Sequence, residues 1–269
     1  MKKKKFKGNT SLVIGCIITG IILLLAVVSL FWTPYSTTAV SKELKLQAPT
    51  FAHIFGCDNY GRDIFSRIME GIRTTFLVSV LTIVFGVVVG SVIGLVSGYV
   101  GGWFDEIIMR INDVLNAFPS VLLALVLVSF FGRGIFNVIL ALGILFIPSC
   151  ARIARSEMLR LKGLQFVQSA RLSKASHFRI IFAHILPCAV PSILASAAVG
   201  FNNAVIAEAS LSFLGLGVQP PTASLGRMIS EAGSYLTQAP WFAIAPGAAI
   251  VILVLGITIL SEGLSNIES

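Results

Sequence analysis

Titratable side chains are sparse in this chain, and where they fall bounds the chemistry open to it. The stretch from Gln168 to Pro187, QSARLSKASHFRIIFAHILP, places Arg171, Lys174 and Arg179 between two long apolar runs. Such cations are not retained in hydrocarbon, so the insert projects into water on one side of a membrane, where it can take force or signal from a soluble partner. A second set sits within or beside apolar runs: Arg110, Asn112, Asp113 and Asn116 open one, and Asn202, Asn203 and Glu208 lie in or at the outer end of another. Polar groups so placed face protein or water, because lipid does not satisfy them. Asp113, Asn116, Asn202, Asn203 and Glu208 either line a translocation path or bond helix to helix, and the sequence leaves both open. Arg110 and Asp113, three apart on one helix face, can neutralise each other. The third set, Gly56, Asp58, Gly61, Arg62 and Asp63, is rich in turn formers. It braces an outer gate or receives a partner, or it is a turn held by an Arg–Asp pair.

Nothing in the chain points to catalysis. No G-x-x-x-x-G-K-[ST] phosphate loop, H-E-x-x-H or G-x-S-x-G occurs. His53, His177 and His184 are scattered, and Cys16, Cys57, Cys150 and Cys188 have neither metal nor redox spacing and read as packing residues. No catalytic residue, metal site or bound cofactor is expected, so chemical energy must enter from elsewhere.

The elements that carry these residues are membrane helices. Hydrophobic residues make up 56% and charged ones 12% of the 269, against roughly 45–50% and about 25% in soluble domains, and mean hydropathy is +0.91. Six apolar segments are predicted: 11–32, 75–98, 114–131, 135–153, 185–206 and 241–260. An even number puts both termini on one side. Lys2, Lys3, Lys4, Lys5 and Lys7 open the chain, and the segment between the fourth and fifth runs carries Arg152, Arg155, Arg160, Lys162, Arg171, Lys174 and Arg179. Retention of basic loops in the cytoplasm therefore places both there. The loop 33–74 mixes Lys42, Lys45, Arg62, Arg67 and Arg73 with acidic residues and is placed outside. The net charge of +8 is thus a topology signal and not a nucleic-acid footprint. The first segment is too long for a signal-peptide core and is expected to stay as an anchor. Gly86, Gly90, Gly94 and Gly98 recur every fourth residue and predict a close helix contact. Pro119, Pro148, Pro187, Pro191 and Pro246 predict kinks or helix starts.

With these residues in view, a family resemblance emerges. Gln168-Ser169-Ala170, then Lys174, then Leu186-Pro187 is similar in spacing to the cytoplasmic EAA loop of ABC-importer permeases, in which Glu-Ala-Ala precedes a Gly and then Leu-Pro. The run from Phe55 to Asp63 resembles FGTDxxGRD, and the run from Ala207 to Pro221 matches AEASLSFLGLGVQPP. Together they resemble the C-type subunit of the dipeptide/oligopeptide/nickel permease family over nearly the whole chain. The resemblance implies an all-α integral membrane protein with the type I importer permease fold, six transmembrane helices and both termini cytoplasmic. It further implies a multi-pass protein of the cytoplasmic membrane that is a permease and not an enzyme. Its expected partners are a second permease, most simply as a heterodimer, two cytoplasmic ATPases that hold ATP and Mg, and an external substrate-binding protein. Peptides, nickel or metal chelates are the implied cargo. A secondary transporter or channel that works without an ATPase is the rival reading; neither inverted repeats nor midplane charges favour it.

The domains expected are a basic N-terminus and first anchor (1–33), an extracytoplasmic loop (34–73), a permease domain (74–262) with its coupling loop at about 161–184, and a tail (263–269). Within the loop, 164–173 and 176–183 are expected to form short helices folded at residue 174, the second capped by Ser176. Phe166, Val167, Phe178 and Ile181 are expected to be apolar anchors for an ATPase, beside Arg171 and Arg179. The chain departs from the family pattern at Gln168, Ser169 and Lys174, and also at Cys57 for Thr and Cys188 for Asn. Gln168 turns any ion pair at its position into a neutral contact. Lys174 costs about 1 kcal/mol or more if the turn demands a positive φ.

Overall fold

The computed structural model describes residues 2–268, with side chains described for 12–263. In chain order the helices are α1 (Lys2–Val28), α2 (Ile64–Val100), α3 (Gly102–Ala117), α4 (Ser120–Phe131), α5 (Ile135–Leu161), α6 (Gln165–Leu172), α7 (His177–Arg179), α8 (Leu186–Phe213), α9 (Leu225–Ala232) and α10 (Trp241–Glu268). A wide-turn π segment, Ile180–Ile185, joins α7 to α8, and the described residues hold no strand beyond one isolated bridge, Cys57 with Asp63.

Among the described residues, four helices are long and apolar enough to cross a membrane: 64–100, 135–161, 177–213 and 241–263. The first expected span is represented by the shorter apolar stretch Leu12–Val28. The side chains of Lys2, Lys3, Lys4, Lys5 and Lys7, and the tail after residue 263, lie outside the described side chains. The third expected span, 114–131, is corrected: it is not one helix. The chain breaks between Ala117 and Ser120 and turns by 98°. Pro119 is the cause, since its ring disfavours a helical residue ahead of it, and Phe118 is accordingly extended at φ −85°, ψ 142°. With that bent pair counted as one span, the number of apolar crossings rises to five.

The second span starts eleven residues earlier than hydropathy indicates, at Ile64 and not at 75. Asp63 caps it, accepting from the Ser66 N–H, so a polar first turn is as helical as the apolar remainder. At about 1.5 Å per residue its 37 residues exceed the roughly 30 Å of hydrocarbon, and its ends must stand in water.

The expected glycine contact forms against α5. A Cβ at Gly90 would meet Cys150 Cβ and the Ile147 carbonyl at 2.7 Å each, and one at Gly86 would meet Phe146 Cβ at 2.7 Å. Only hydrogen fits, so the two backbones approach as small-residue membrane interfaces do. On the opposite face of α2, Leu77, Leu81, Val84, Val88 and Val92 are exposed. Such an apolar stripe suits a lipid or partner surface and would be a liability in water.

Three apolar clusters hold the bundle. One joins α1, α2, α8, α9 and α10 through Ile22, Ile68, Val205, Met228 and Leu253. A second joins α2, α4, α5 and α8 through Val78, Val128, Leu142 and Leu211. The third packs Leu95, Ala154 and Met158 against Val167, Ile180, Ile181 and Ile185, which docks the 162–185 segment onto the bundle.

The wide turn ahead of α8 has a local cause. Pro187 has no N–H to give to Ala183 and its ring crowds that carbonyl. The Leu186 N–H accordingly reaches back five residues to the Ile181 carbonyl, a π-bulge geometry.

Candidate functional site

The projecting segment folds as two short helices around a tight turn. After α6 ends, the Ala175 N–H donates to the Ala170 carbonyl (3.1 Å) and the Lys174 N–H to the Arg171 carbonyl (3.0 Å). This is the Schellman closure, whose pivot residue is left-handed and most often glycine. Here the pivot is Lys174 at φ 54°. Ser176 then caps α7, its Oγ accepting from the Arg179 N–H at 3.3 Å.

Of the coupling residues expected from sequence, Phe166, Gln168, Ser169, Arg171, Lys174, Phe178, Arg179 and Pro187 are exposed, while Ala170 and Leu186 are half-buried. The Gln168 amide donates to the Gly163 carbonyl at 3.1 Å and so closes its own loop. Arg171 stacks over the Tyr99 ring at 5.3 Å, and the Tyr99 hydroxyl pairs with His177 Nδ1 at 2.7 Å. Two expected anchors are corrected: Val167 and Ile181 are buried in the chain's own bundle, because they occupy the inward faces of the short helices. Leu172, 85% exposed, is an apolar tip that sequence reasoning passed over.

Below the loop, ionic contacts tie neighbouring helices. Arg155 on α5 grips Asp105 on α3 through two bonds of 2.7 and 2.6 Å, the bidentate geometry in which arginine is strongest. Lys162 donates to the Gly98 carbonyl at 2.9 Å, satisfying the C-terminal end of α2. Asp113 pairs with Arg152 at 2.8 Å, and Arg110 pairs with Glu106 at 3.5 Å. The expected Arg110–Asp113 pair is therefore corrected, since Asp113 faces α5 and Arg110 turns to solvent. Neither Asp105 nor Arg155 stood out in the sequence, where each is one charge among several.

Between the α3–α4 bend, α5 and α8 lies a cavity of about 400 Å³. Asn116, Ser120, Ser149, Asn203 and Ser210 supply its polar lining, and Phe146 and Leu211 part of its apolar wall. Two of the five residues expected to line a path, Asn116 and Asn203, meet here. Asn202 instead donates to Thr258 Oγ1 on α10 at 2.9 Å. Glu208 is sealed in the protein and accepts from Ser212 Oγ at 2.6 Å, while Ser212 Oγ accepts from the Val218 N–H at 3.1 Å. Asp113 stays at the surface with Arg152. The three serines carry no signal in the sequence, because hydroxyls on membrane helices mostly bond to their own backbone, as Ser210 does with Ile206.

At the opposite end of the bundle the third set forms a closed ionic cluster. Gly56 and Gly61, both with positive φ, bend the chain so that Asp58 accepts from the N–H groups of Tyr60 and Arg62. Its carboxylate also takes Arg62 Nε at 2.6 Å and Arg67 Nη1 at 3.0 Å. Both guanidinium groups reach Glu231 on α9 at 3.3 Å, and Arg227 reaches its other oxygen at 3.2 Å. Asp63 caps α2 and holds His53 Nδ1 at 2.9 Å. Asp58, Arg62 and Asp63 are thus buried and satisfied within the chain, which ties the loop to both α2 and α9. Cys57 is sealed beside them; burial, with Asp63 and Asp58 adding repulsion, pushes its thiol up to about 11.

Comparison with known proteins identifies relatives of this chain. A family profile described as "binding-protein-dependent transport system inner membrane component" matches residues 86–267. The dipeptide transport system permease protein DppC of Alkalihalophilus pseudofirmus is 36% identical over 263 residues, covering 98% of this chain and 86% of the relative. The glutathione transport system permease protein GsiD of Salmonella typhimurium is 44% identical over 261 residues, covering 97% and 86%. Among solved structures, a chain of the inward-facing MetNI methionine ABC transporter superposes with a TM-score of 0.63 at 18% identity, covering 76% of this chain and 96% of that one, a likeness of fold.

Proposed function

The chain belongs to the family of binding-protein-dependent transport system inner membrane components, and from that membership we propose that it is a peptide-carrying permease subunit of an ATP-driven importer. It is a multi-pass membrane protein. In the full reading it crosses six times with both termini in the cytoplasm, 74–262 forms the permease domain, and 34–73 with the Asp58–Glu231 cluster faces outward. A second permease completes the path, two cytoplasmic ATPases hold ATP and Mg, and an external binding protein delivers cargo.

One observation carries this reading: an exposed, turn-locked segment at 162–185 whose inner face is packed into α2, α5 and α8. A partner that grips Phe166, Leu172 and Phe178 and moves must carry those helices with it, since close-packed cores shift as bodies and do not deform gradually. ATP-driven approach of two ATPases would supply that displacement. The bidentate Arg155–Asp105 pair brings α3 along, and with it the bend that walls the cavity.

The cavity suits peptides. Asn116 and Asn203 offer amide donors and acceptors, and Ser120, Ser149 and Ser210 offer hydroxyls, without a fixed charge. Such groups can satisfy peptide N–H and C=O in passage whatever the side chains are. The dipeptide and glutathione transport for which the relatives are named supports the same class.

The test is uptake by the whole complex, purified with its second permease, ATPases and binding protein and placed in liposomes. Labelled dipeptide should accumulate only with ATP on the ATPase side, and loaded binding protein should stimulate hydrolysis. Uptake that ignores ATP and follows an ion gradient would establish the rival class instead.

A further inference from the structure

The cytoplasmic segment carries its charge in an unbalanced way. Between Glu157 and Glu208 the chain has no acidic residue, yet it has Arg160, Lys162, Arg171, Lys174 and Arg179. Two of the five are used internally, Arg160 on Glu157 and Lys162 on the Gly98 carbonyl. Arg171 is spread over the Tyr99 ring. Lys174 and Arg179 take no part in the ion pairs of the described residues. Both line one concave polar cleft of about 430 Å³, together with His184, Ser173 and Ser176.

The backbone adds an independent clue. Lys174 sits in the left-handed pivot at φ 54°, where glycine is cheaper by about 1 kcal/mol or more. The turn is closed by the backbone N–H groups of Lys174 and Ala175, and among the described residues no bond from the lysine side chain supports it. Lys174 and Arg179 line the same cleft, and two cations on one concave surface can take a carboxylate.

On these grounds we propose that the Lys174–Arg179 cleft receives an aspartate or glutamate side chain of the ATPase subunit. The permease supplies the cations of the coupling contact and the ATPase supplies the anion. This rests on the importer reading above. It assigns the polarity of the contact: Gln168, already bonded to Gly163, takes no ionic part, and Phe166, Leu172 and Phe178 supply the apolar rim around the charge pair.

The intact complex in nanodiscs tests it with a zero-length carbodiimide, which activates a carboxylate so that a lysine amine in contact closes an amide and expels a urea. Mass spectrometry should find Lys174 joined to an acidic residue of the ATPase, equally in phosphatidylcholine discs and in discs containing phosphatidylglycerol. Arg179→Glu should weaken ATPase association by roughly tenfold or more, as expected when one partner of an interfacial charge pair is lost. Lys174→Gly separates recognition from folding. It removes backbone strain, so thermal stability should hold or rise, while stimulation of ATP hydrolysis by loaded binding protein should fall several-fold.

A Lys174 that joins no ATPase carboxylate overturns the proposal, as does a Lys174→Gly complex with full coupling. So does a cleft that holds phosphatidylglycerol, seen as headgroup-dependent protection of Lys174 with unchanged ATPase association in Arg179→Glu. These outcomes presuppose a wild-type complex that takes up peptide with ATP; lack of ATP-dependent uptake there would count against the importer reading and not against this contact.

Discussion

Single side chains decide where charge is tolerated. Asp58 is buried and collects two guanidinium groups and two backbone N–H groups, so its removal leaves the buried Arg62 and Arg67 to share Glu231 at 3.3 Å. Breaking a buried ion pair in that way costs roughly 3–5 kcal/mol. Asp58→Ala should therefore lower the melting temperature of the purified protein sharply, and Asp58→Asn, which keeps the turn's backbone bonds, should lower it less; equal melting of all three proteins would refute the arrangement. Cys57 gives a pH test. Its thiol is raised from 9.0 to about 11, so the folded protein holds that proton longer than the unfolded chain does. The stabilisation is complete below pH 9.0 and is lost as pH climbs toward 11. Iodoacetamide at pH 8 should spare the buried Cys57 until the protein is unfolded and label it afterwards, a pattern that peptide mass mapping reads directly. At this scale the sequence was partly legible. The Arg62–Asp58 pair could be anticipated from four-residue spacing, but Glu231, 169 residues from Arg62, could not.

Elements pack according to what their faces permit. Gly90 of α2 lies against the Ile147 carbonyl and Cys150, and a Cβ there already intrudes to 2.7 Å. Gly90→Val should push α2 from α5 and destabilise by about 1–3 kcal/mol, the usual penalty of overpacking. Gly101→Ala is no control, since its φ is +71°, whereas Gly20, with nothing within 4 Å of a built Cβ, is. Thermal unfolding in detergent should separate Gly90→Val from Gly20→Ala, and identical curves would count against the contact. The glycine stripe was readable because a four-residue repeat maps directly onto one helix face. The α3–α4 break was readable in part: Pro119 predicts a kink or a helix start there, but averaged hydropathy runs smoothly through the bend and gives one segment. The early start of α2 was missed for the converse reason: residues 64–74 are helical but too polar to register as membrane-buried.

The molecule as a whole presents two aqueous ends. Under the proposed orientation Lys174 lies in the cytoplasm and Tyr60, 49% exposed beside the Asp58 cluster, lies outside. In a background with Cys16 and Cys188 replaced by serine, Tyr60→Cys should react with a membrane-impermeant maleimide on intact cells, and Lys174→Cys only after the membrane is opened. The reverse pattern would invert the topology. The all-helical membrane class was open to sequence reading because hydropathy is a long-range average. Which polar residues share the cavity was not, because facing directions depend on the rotation of each helix, and Asn202 and Asn203 differ by one residue yet point to different neighbours.

Helix α2 has one more implication. It runs without a proline from the Asp58–Arg67 cluster to Tyr99, which touches the turn carrying His177. A stiff pushrod therefore joins the two watery faces, and a load applied at one arrives at the other without any relay of rearranging side chains. Under the proposed importer reading, occupancy of the far receptor and engagement of the near motor would be two readings of a single helix's position.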